Sequence, residues 1–286
     1  MQPHPSSSVS LELAVADVSL GIDANAGARV SGLRIGGENV IVSGDSNSHP
    51  LQWGSYAMVP FAGRIRNGVL EFEGATHELP IDLEGHSIHG VGYGEPWTLE
   101  PSAGLDSAVR KRVAFRLDMA TTKKAWPFGG IARQEVELGP DSLTLTLEVT
   151  AGSRAMPLSM GWHPWWVRQL GKGGSLEFDV DFSGARRYEK FSDGTPTGTL
   201  LKPGTGPWDD CFIGIREVTL RWPGFLEIEI AHDCSHVTIY DEPEHALCVE
   251  PQSGPPGAHQ WDADASRLAP GETMRRSTTW SWTLLG

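Results

Sequence analysis

Strict two-residue alternation of apolar and polar side chains recurs along this chain and limits its fold more than any other feature. It runs through Leu11-Glu12-Leu13-Ala14-Val15, Val113-Ala114-Phe115-Arg116-Leu117-Asp118-Met119, Leu143-Thr144-Leu145-Thr146-Leu147-Glu148-Val149, Leu176-Glu177-Phe178-Asp179-Val180-Asp181-Phe182, Leu226-Glu227-Ile228-Glu229-Ile230 and Trp280-Ser281-Trp282. A strand turns successive side chains to opposite faces, so this period belongs to strands buried on one side only. No segment carries a 3.6-residue apolar stripe beyond about two turns. Asn67-Gly68, between Ile65 and Val69-Leu70-Glu71-Phe72, and Gly139-Pro140-Asp141-Ser142, between Val136-Glu137-Leu138 and Leu143, predict hairpins. The expected fold is all-β, a large antiparallel β-sandwich with long loops and little helix.

At 286 residues the chain exceeds a common domain, but all-β sandwiches reach this length as one unit. No low-complexity linker, long charge run or fixed-period repeat divides it. One domain over residues 1–286 is therefore expected, with 1–10 flexible and 251–270 an ordered excursion before the last strand. Acids outnumber bases 36 to 23, giving a net charge of −13. That balance argues against nucleic acid, whose binding rests on Lys and Arg displacing counterions. A small neutral or weakly polar molecule is the better partner. Met1 to Ser10 lacks a basic start and an apolar run, and nothing approaches the roughly 20 apolar residues that cross a bilayer. The three cysteines include no Cys-x-x-Cys pair. These features predict a cytoplasmic protein with reduced thiols, free of membrane and nucleic-acid partners, as a monomer or homodimer.

Four segments gather polar and aromatic residues that strand packing does not require. In Pro60-Phe61-Ala62-Gly63-Arg64-Ile65-Arg66-Asn67-Gly68, two arginines flank one Ile, so one can face inward; a buried guanidinium must be paired or bind oxygen acceptors such as vicinal hydroxyls. The alternative is a solvated hairpin arginine. The segment Gly85-His86-Ser87-Ile88-His89-Gly90-Val91-Gly92 puts two histidines in a Gly-rich loop whose backbone can approach a ligand. Their spacing suits metal ligands on a helix, and this loop is not helical. In Met160-Gly161-Trp162-His163-Pro164-Trp165-Trp166 a histidine lies among tryptophans, either as a core residue or as a proton-transfer group tuned by an apolar wall. Ala246-Leu247-Cys248-Val249-Glu250-Pro251-Gln252 ends an apolar run on a carboxylate, which is costly unless paired or used, and burial raises its pKa toward that of a working base. Pro251 is expected to end strand pairing there. Asp209 and Asp210, beside Trp208 and Phe212, form a further acidic pair that also reads as a solvated turn.

In this order and at these spacings the segments resemble the aldose 1-epimerase, or galactose mutarotase, family. Ala62-Gly63-Arg64-Ile65 is similar to its sugar-binding arginine motif, Ile88-His89-Gly90 to its Leu-His-Gly-Gly loop, and Gly161-Trp162-His163-Pro164-Trp165-Trp166 to its Gly-x-His-Pro-Tyr-Phe element. Asp209-Asp210-Cys211-Phe212 resembles its Asp-x-x-Phe element, Val249-Glu250-Pro251-Gln252 its catalytic glutamate strand, and Leu268-Ala269-Pro270-Gly271-Glu272 its ending. The resemblance starts near Gly27; the chain departs from it in Trp165-Trp166 for Tyr-Phe and in Val91 where a second glycine is usual.

The resemblance implies a β-supersandwich with a sugar cleft across one sheet, and an isomerase that needs no cofactor and no metal. It makes Glu250 the base on the C1 hydroxyl and His163 the acid on the ring oxygen. Arg64, His89 and Asp209 would bind the sugar, with His86, Trp162 and Gln252 as further binding residues. Three alternatives stand beside it: a glycosidase using Glu250 with Asp209 or Asp210, a non-catalytic carbohydrate-binding protein, and a metal site built from His86, His89, His163 and Glu250.

Overall fold

A computed structural model describes residues 10–45, 47–101, 107–260 and 266–286. Most of the expected flexible leader, residues 1–9, and the stretch 261–265 of the expected excursion lie outside the described residues. Two large antiparallel sheets carry the fold. The first has eleven strands; its path runs Ser10–Val15, Val18–Asp23, Arg29–Ile35, Ser55–Met58, Gly161–Val167, Ala246–Gln252, His236–Tyr240, Asp209–Ile213, Arg186–Lys190 and Pro196–Leu201, with Glu38–Asn39 paired beside the third. The second has eight, in the order Thr98–Leu99, Lys111–Asp118, Ile131–Leu138, Ser142–Thr150, Thr273–Leu284, Leu226–His232, Glu217–Trp222 and Glu177–Asp179. Helix is limited to two short 3₁₀ turns among the described residues, Arg66–Gly68 and Ala258–Gln260.

The alternation does its expected work. Along Ile131–Leu138 every second side chain is buried, and the buried set meets the inner face of the larger sheet. Trp166 and Trp280 cross edge-on with ring centroids 4.6 Å apart. Tryptophan buries a large apolar surface but needs a partner for its N–H; Trp162 Nε1 donates to Gln134 Oε1 at 3.1 Å, and Trp222 Nε1 donates to Val167 O at 3.0 Å. Gln134, carried by the smaller sheet, in turn donates to Ala28 O at 2.8 Å, so this core amide bonds to the larger sheet at Trp162 and to the residue that precedes Arg29–Ile35.

Three local expectations are corrected. Gly139–Ser142 does join a paired hairpin, Leu138 opposite Leu143, but Asn67-Gly68 does not. Arg64–Ile65 pairs with Ser87–Ile88 while Val69–Phe72 pairs with Ala75–Glu78, so the Asn67 turn sends the chain to a different partner. Asn67 takes the left-handed φ of 54° that the turn requires. The Leu176–Phe182 alternation yields a strand only over Glu177–Asp179, at the sheet edge where a single neighbour pairs it.

Pro251 does not end its strand, because pairing continues through Gln252, with Pro251 opposite Val237. Its effect falls on the other neighbour. Gly161 pairs with Gln252 and Trp165 with Cys248, yet no partners are registered between 162–164 and 249–251. Pro164 and Pro251, both lacking an N–H, occupy that interval and deny the ladder two donors. The constant offset on either side sets His163 across from Glu250 in the gap.

Candidate functional site

Period two assigns the side chains around this gap. On Gly161–Val167, Trp162 and Trp166 belong to the core between the sheets, while His163 and Trp165 project from the outer face of the larger sheet. On Ala246–Gln252, Leu247 and Val249 enter that core and Cys248 and Glu250 face outward. A smaller apolar cluster, including Leu51, Tyr56, Met58, Tyr93, Trp165 and Cys248, lies on the outer side. Beside it opens a cleft of about 540 Å³ whose walls include Arg64, His86, His89, His163, Asp209 and Glu250.

Six of the eight expected site residues thus meet in one cavity, and two do not. Trp162 points into the core on the opposite side of the sheet, as the strand parity of its neighbour His163 dictates. Gln252 is fully buried and donates to Cys211 Sγ at 3.1 Å, one step behind the cleft wall. Trp165, two residues from His163, is the tryptophan that reaches the cleft.

On the cleft floor His163 Nε2 and Glu250 Oε1 stand 3.2 Å apart, their side chains only 6% and 4% exposed. Ligating atoms of His89, His163 and Glu250 all lie within 4.8 Å of one another, and His86 is outside this trio. His89 Nδ1 accepts the Gly63 N–H at 3.1 Å, which places the ring proton of the neutral imidazole on Nε2. His86 Nδ1 likewise accepts from Asn67 N at 3.1 Å. Three of the four residues of the metal alternative thus lie close together, with His89 Nδ1 engaged by the Gly63 N–H and His163 Nε2 by Glu250. The loop reaches this depth because His89 and Gly90 both take left-handed φ, 56° and 75°, and a Cβ at Gly90 would stand 2.0 Å from Val59 O.

Arg64 spans the rim, with Nη2 3.2 Å from Glu84 and Nη1 3.9 Å from Asp209. Lys190 Nζ sits 3.3 Å from Asp209 Oδ2 and 3.6 Å from Asp210 Oδ1, and it also donates to the Asp209 carbonyl. Asp209 lines the cleft and Asp210 turns away from it, toward Arg187 at 3.6 Å. Sequence reasoning missed Tyr56 and Lys190. Tyr56 sits in Ser55–Met58, buried throughout and so without alternation to read, and Lys190 resembles any strand-end lysine.

Burial dominates the electrostatics. It pushes the Glu250 carboxyl well above its usual range, with Asp209 adding to the rise and Arg64 opposing it. It pulls His163 down to about 3, helped by the charge of Arg29, and holds His89 well below its ordinary value. His232, His236 and His259 are each lowered to about 4 by burial. A histidine with a depressed folded pKa leaves stability intact above the unfolded pKa and erodes it as pH falls, because only the unfolded chain then takes the proton. Thermal unfolding followed between pH 6.5 and 4.5 is expected to show a midpoint that falls steeply, because these histidines outnumber the one buried carboxyl group, Glu250, whose raised pKa acts in the opposite sense. Each such group can contribute on the order of 2 kcal/mol by about pH 5; a midpoint unchanged down to pH 5 contradicts the burial of these rings.

The sequence profile of the aldose 1-epimerase family matches residues 23–213. A search of curated proteins returns no match. Among solved structures, a galactose mutarotase-like protein from Clostridium acetobutylicum superposes with a TM-score of 0.85 at 17% identity, covering 98% of this chain and 96% of that one. A galactose 1-epimerase from Lactobacillus acidophilus gives 0.79 at 17% identity, covering 100% and 98%. A galactose mutarotase-like protein from Lactobacillus casei gives 0.77 at 19% identity, covering 96% and 100%. At these identities the structures speak for the fold, which is the galactose mutarotase-like β-sandwich. The profile match covers most of the chain, and the chain belongs to the aldose 1-epimerase family.

Proposed function

We propose that this chain is an isomerase that interconverts the α and β anomers of an aldose, with Glu250 as general base and His163 as general acid. The observation that carries the reading is the 3.2 Å contact between His163 Nε2 and Glu250 Oε1 at the buried floor of the cleft. Glu250 takes the proton of the C1 hydroxyl as protonated His163 gives one to the ring oxygen. The C1–ring oxygen bond breaks and C1 becomes an aldehyde. Rotation about C1–C2 and the reverse transfers close the ring on the other face. One proton is exchanged for another, so the pair ends each cycle as it began.

The electrostatics favour this direction of flow. The transfer runs from a carboxylate and an imidazolium, the form of the pair that burial disfavours, to an uncharged acid and an uncharged imidazole when the ring opens. Burial raises one pKa and lowers the other, so it stabilises the ring-opened stage. His89, with its Nε2–H free of Gly63, suits a hydrogen bond to the ring or C1 oxygen. Arg64 and Asp209 suit the more distant hydroxyls. His86 would shape the wall, and Trp162 and Gln252 would act only by supporting the strands that carry His163 and Glu250.

A glycosidase would need a second carboxyl group facing Glu250. The contact partner of Glu250 is instead an imidazole, and Asp209 is engaged by Lys190 and Arg64. The acid–base pair also distinguishes this reading from a binding module without turnover. Polarimetry or NMR exchange on freshly dissolved α-anomers of several aldoses tests it. Wild type is expected to speed equilibration of at least one sugar, and His163→Ala to lower kcat about 10²- to 10³-fold. No acceleration of any aldose, free or phosphorylated, refutes the function; full activity in His163→Ala refutes the assignment of the acid.

A further inference from the structure

Polar contact holds the His163 imidazole at one ring nitrogen. Its Nε2 meets Glu250, and Nδ1 is buried without a hydrogen-bond partner. A ring tethered at one nitrogen can swing about its χ2 torsion, which is broad for histidine. Packing must supply the restraint. Tyr56, directly across the strand pair from His163, stacks on it with centroids 5.0 Å apart and planes 25° apart. Trp165 stacks on it at 5.2 Å and 15°. His89 closes the edge at 5.0 Å and 88°.

The flanking rings are themselves fixed. Tyr56 has no exposed surface; its hydroxyl donates to Leu51 O at 3.2 Å, and the Arg29 guanidinium lies 5.2 Å from its ring centre. Trp165 is 5% exposed, with His245 nearly parallel to it at 5.9 Å and 13°. From Tyr56 through His163 and Trp165 to His245, four rings therefore run from the buried interior to the rim in near-parallel order.

We propose that Tyr56 and Trp165 are positioning residues for the proton transfer, setting the plane of the His163 imidazole so that Nε2 stays on the line between Glu250 and the sugar ring oxygen. Offset aromatic stacking at these separations is worth about as much as a good hydrogen bond and is directional in a way that aliphatic contact is not. The ring faces also favour a cation, so they help the desolvated imidazole accept the proton it must later give. The inference rests on the acid role of His163. It makes Trp165, which stands where the family pattern has tyrosine, matter through its aromatic plane rather than through the sugar.

The test compares Trp165→Phe with Trp165→Leu, each checked for folding by thermal unfolding. Trp165→Phe keeps an aromatic face and is expected to hold kcat within about threefold. Trp165→Leu keeps apolar bulk without the face and should lose about tenfold or more in kcat with KM nearly unchanged, as misplacement of a reacting group does. Equal losses in both variants, or a loss confined to KM, overturn the proposal. A second readout stands apart from turnover: ¹⁵N spectra of the histidine rings at fixed pH should show one His163 tautomer in wild type and Trp165→Phe and a mixture in Trp165→Leu. Identical spectra in all three overturn the positioning role even if no aldose is turned over. Loss of the single tautomer in Trp165→Leu, with no aldose turned over by wild type, upholds the positioning and refutes only the epimerase reading.

Discussion

Glu250→Gln is expected to abolish most of the epimerase activity while making the protein more stable. The amide has nearly the shape of the carboxyl group and its oxygen can still accept from His163 Nε2–H, so the 3.2 Å contact survives in a neutral form. What disappears is the ability to take the C1 hydroxyl proton, a loss of about 10²- to 10⁴-fold in kcat for one general base. The stability gain follows from the sign of the shift. Glu250 has a raised folded pKa. Above the unfolded carboxyl value the unfolded chain releases this proton readily while the folded chain resists, so stability is lost as pH rises toward and through the folded pKa. Removing the titration removes that loss, and at pH 7.5 a gain of about 1–2 kcal/mol is expected, of the size seen when an active-site compromise is relieved. Chemical denaturation of wild type and variant at pH 7.5 and pH 5 checks this, since the gap between them must shrink at the lower pH. A variant less stable than wild type at pH 7.5 contradicts the account of a carboxyl group strained by desolvation.

That compromise explains which parts of the molecule were legible in the sequence. Alternation of the Leu143–Val149 kind reports burial on one face, so the sandwich and most of its strands could be read directly. The same rule also contained the correction to Trp162. Once His163 is placed in the cleft, period two sends Trp162 and Trp166 to the core and Trp165 to the cleft, without any structure in hand. Pro251 misled because a strand has two neighbours: its missing N–H interrupts the ladder toward Gly161–Val167 and not the one toward His236–Tyr240. The Asn67 turn misled because a local turn signal carries no information about which partner each flanking strand will take. Tyr56 had no local signal, since its strand is buried on both faces and only the cross-strand register sets it beside His163.

Arg29 gives the second large effect, and its role is likewise invisible to local pattern. It opens the strand Arg29–Ile35, and its side chain has no exposed surface. Its Nε donates to Ala26 O at 2.7 Å, Nη1 to Trp53 O at 3.0 Å and Nη2 to Tyr93 O at 2.8 Å, while its plane lies over Trp53 at 4.1 Å. Two chain segments distant in sequence, at Trp53 and Tyr93, are therefore tied through one side chain to its own turn at Ala26, directly beneath Tyr56. Burial lowers its pKa to about 10, still high enough to keep the charge at neutral pH. Arg29→Met fills similar volume but strands two buried carbonyl groups and a half-buried one, and about 3–5 kcal/mol of stability should be lost. Arg34, exposed and bonded among the described residues to Gly37 O at 3.1 Å, is the control: Arg34→Ala should change stability by less than about 0.5 kcal/mol. Urea unfolding of both variants measures the difference, and a loss under about 1 kcal/mol in Arg29→Met contradicts the structural tie. A methionine would avoid burying a charge, so the guanidinium must supply something apolar packing cannot. It satisfies three carbonyls at once, supports the ring that flanks His163, and its charge adds to the burial that keeps that imidazole reluctant to hold a proton. A proton donor in this cleft needs that reluctance.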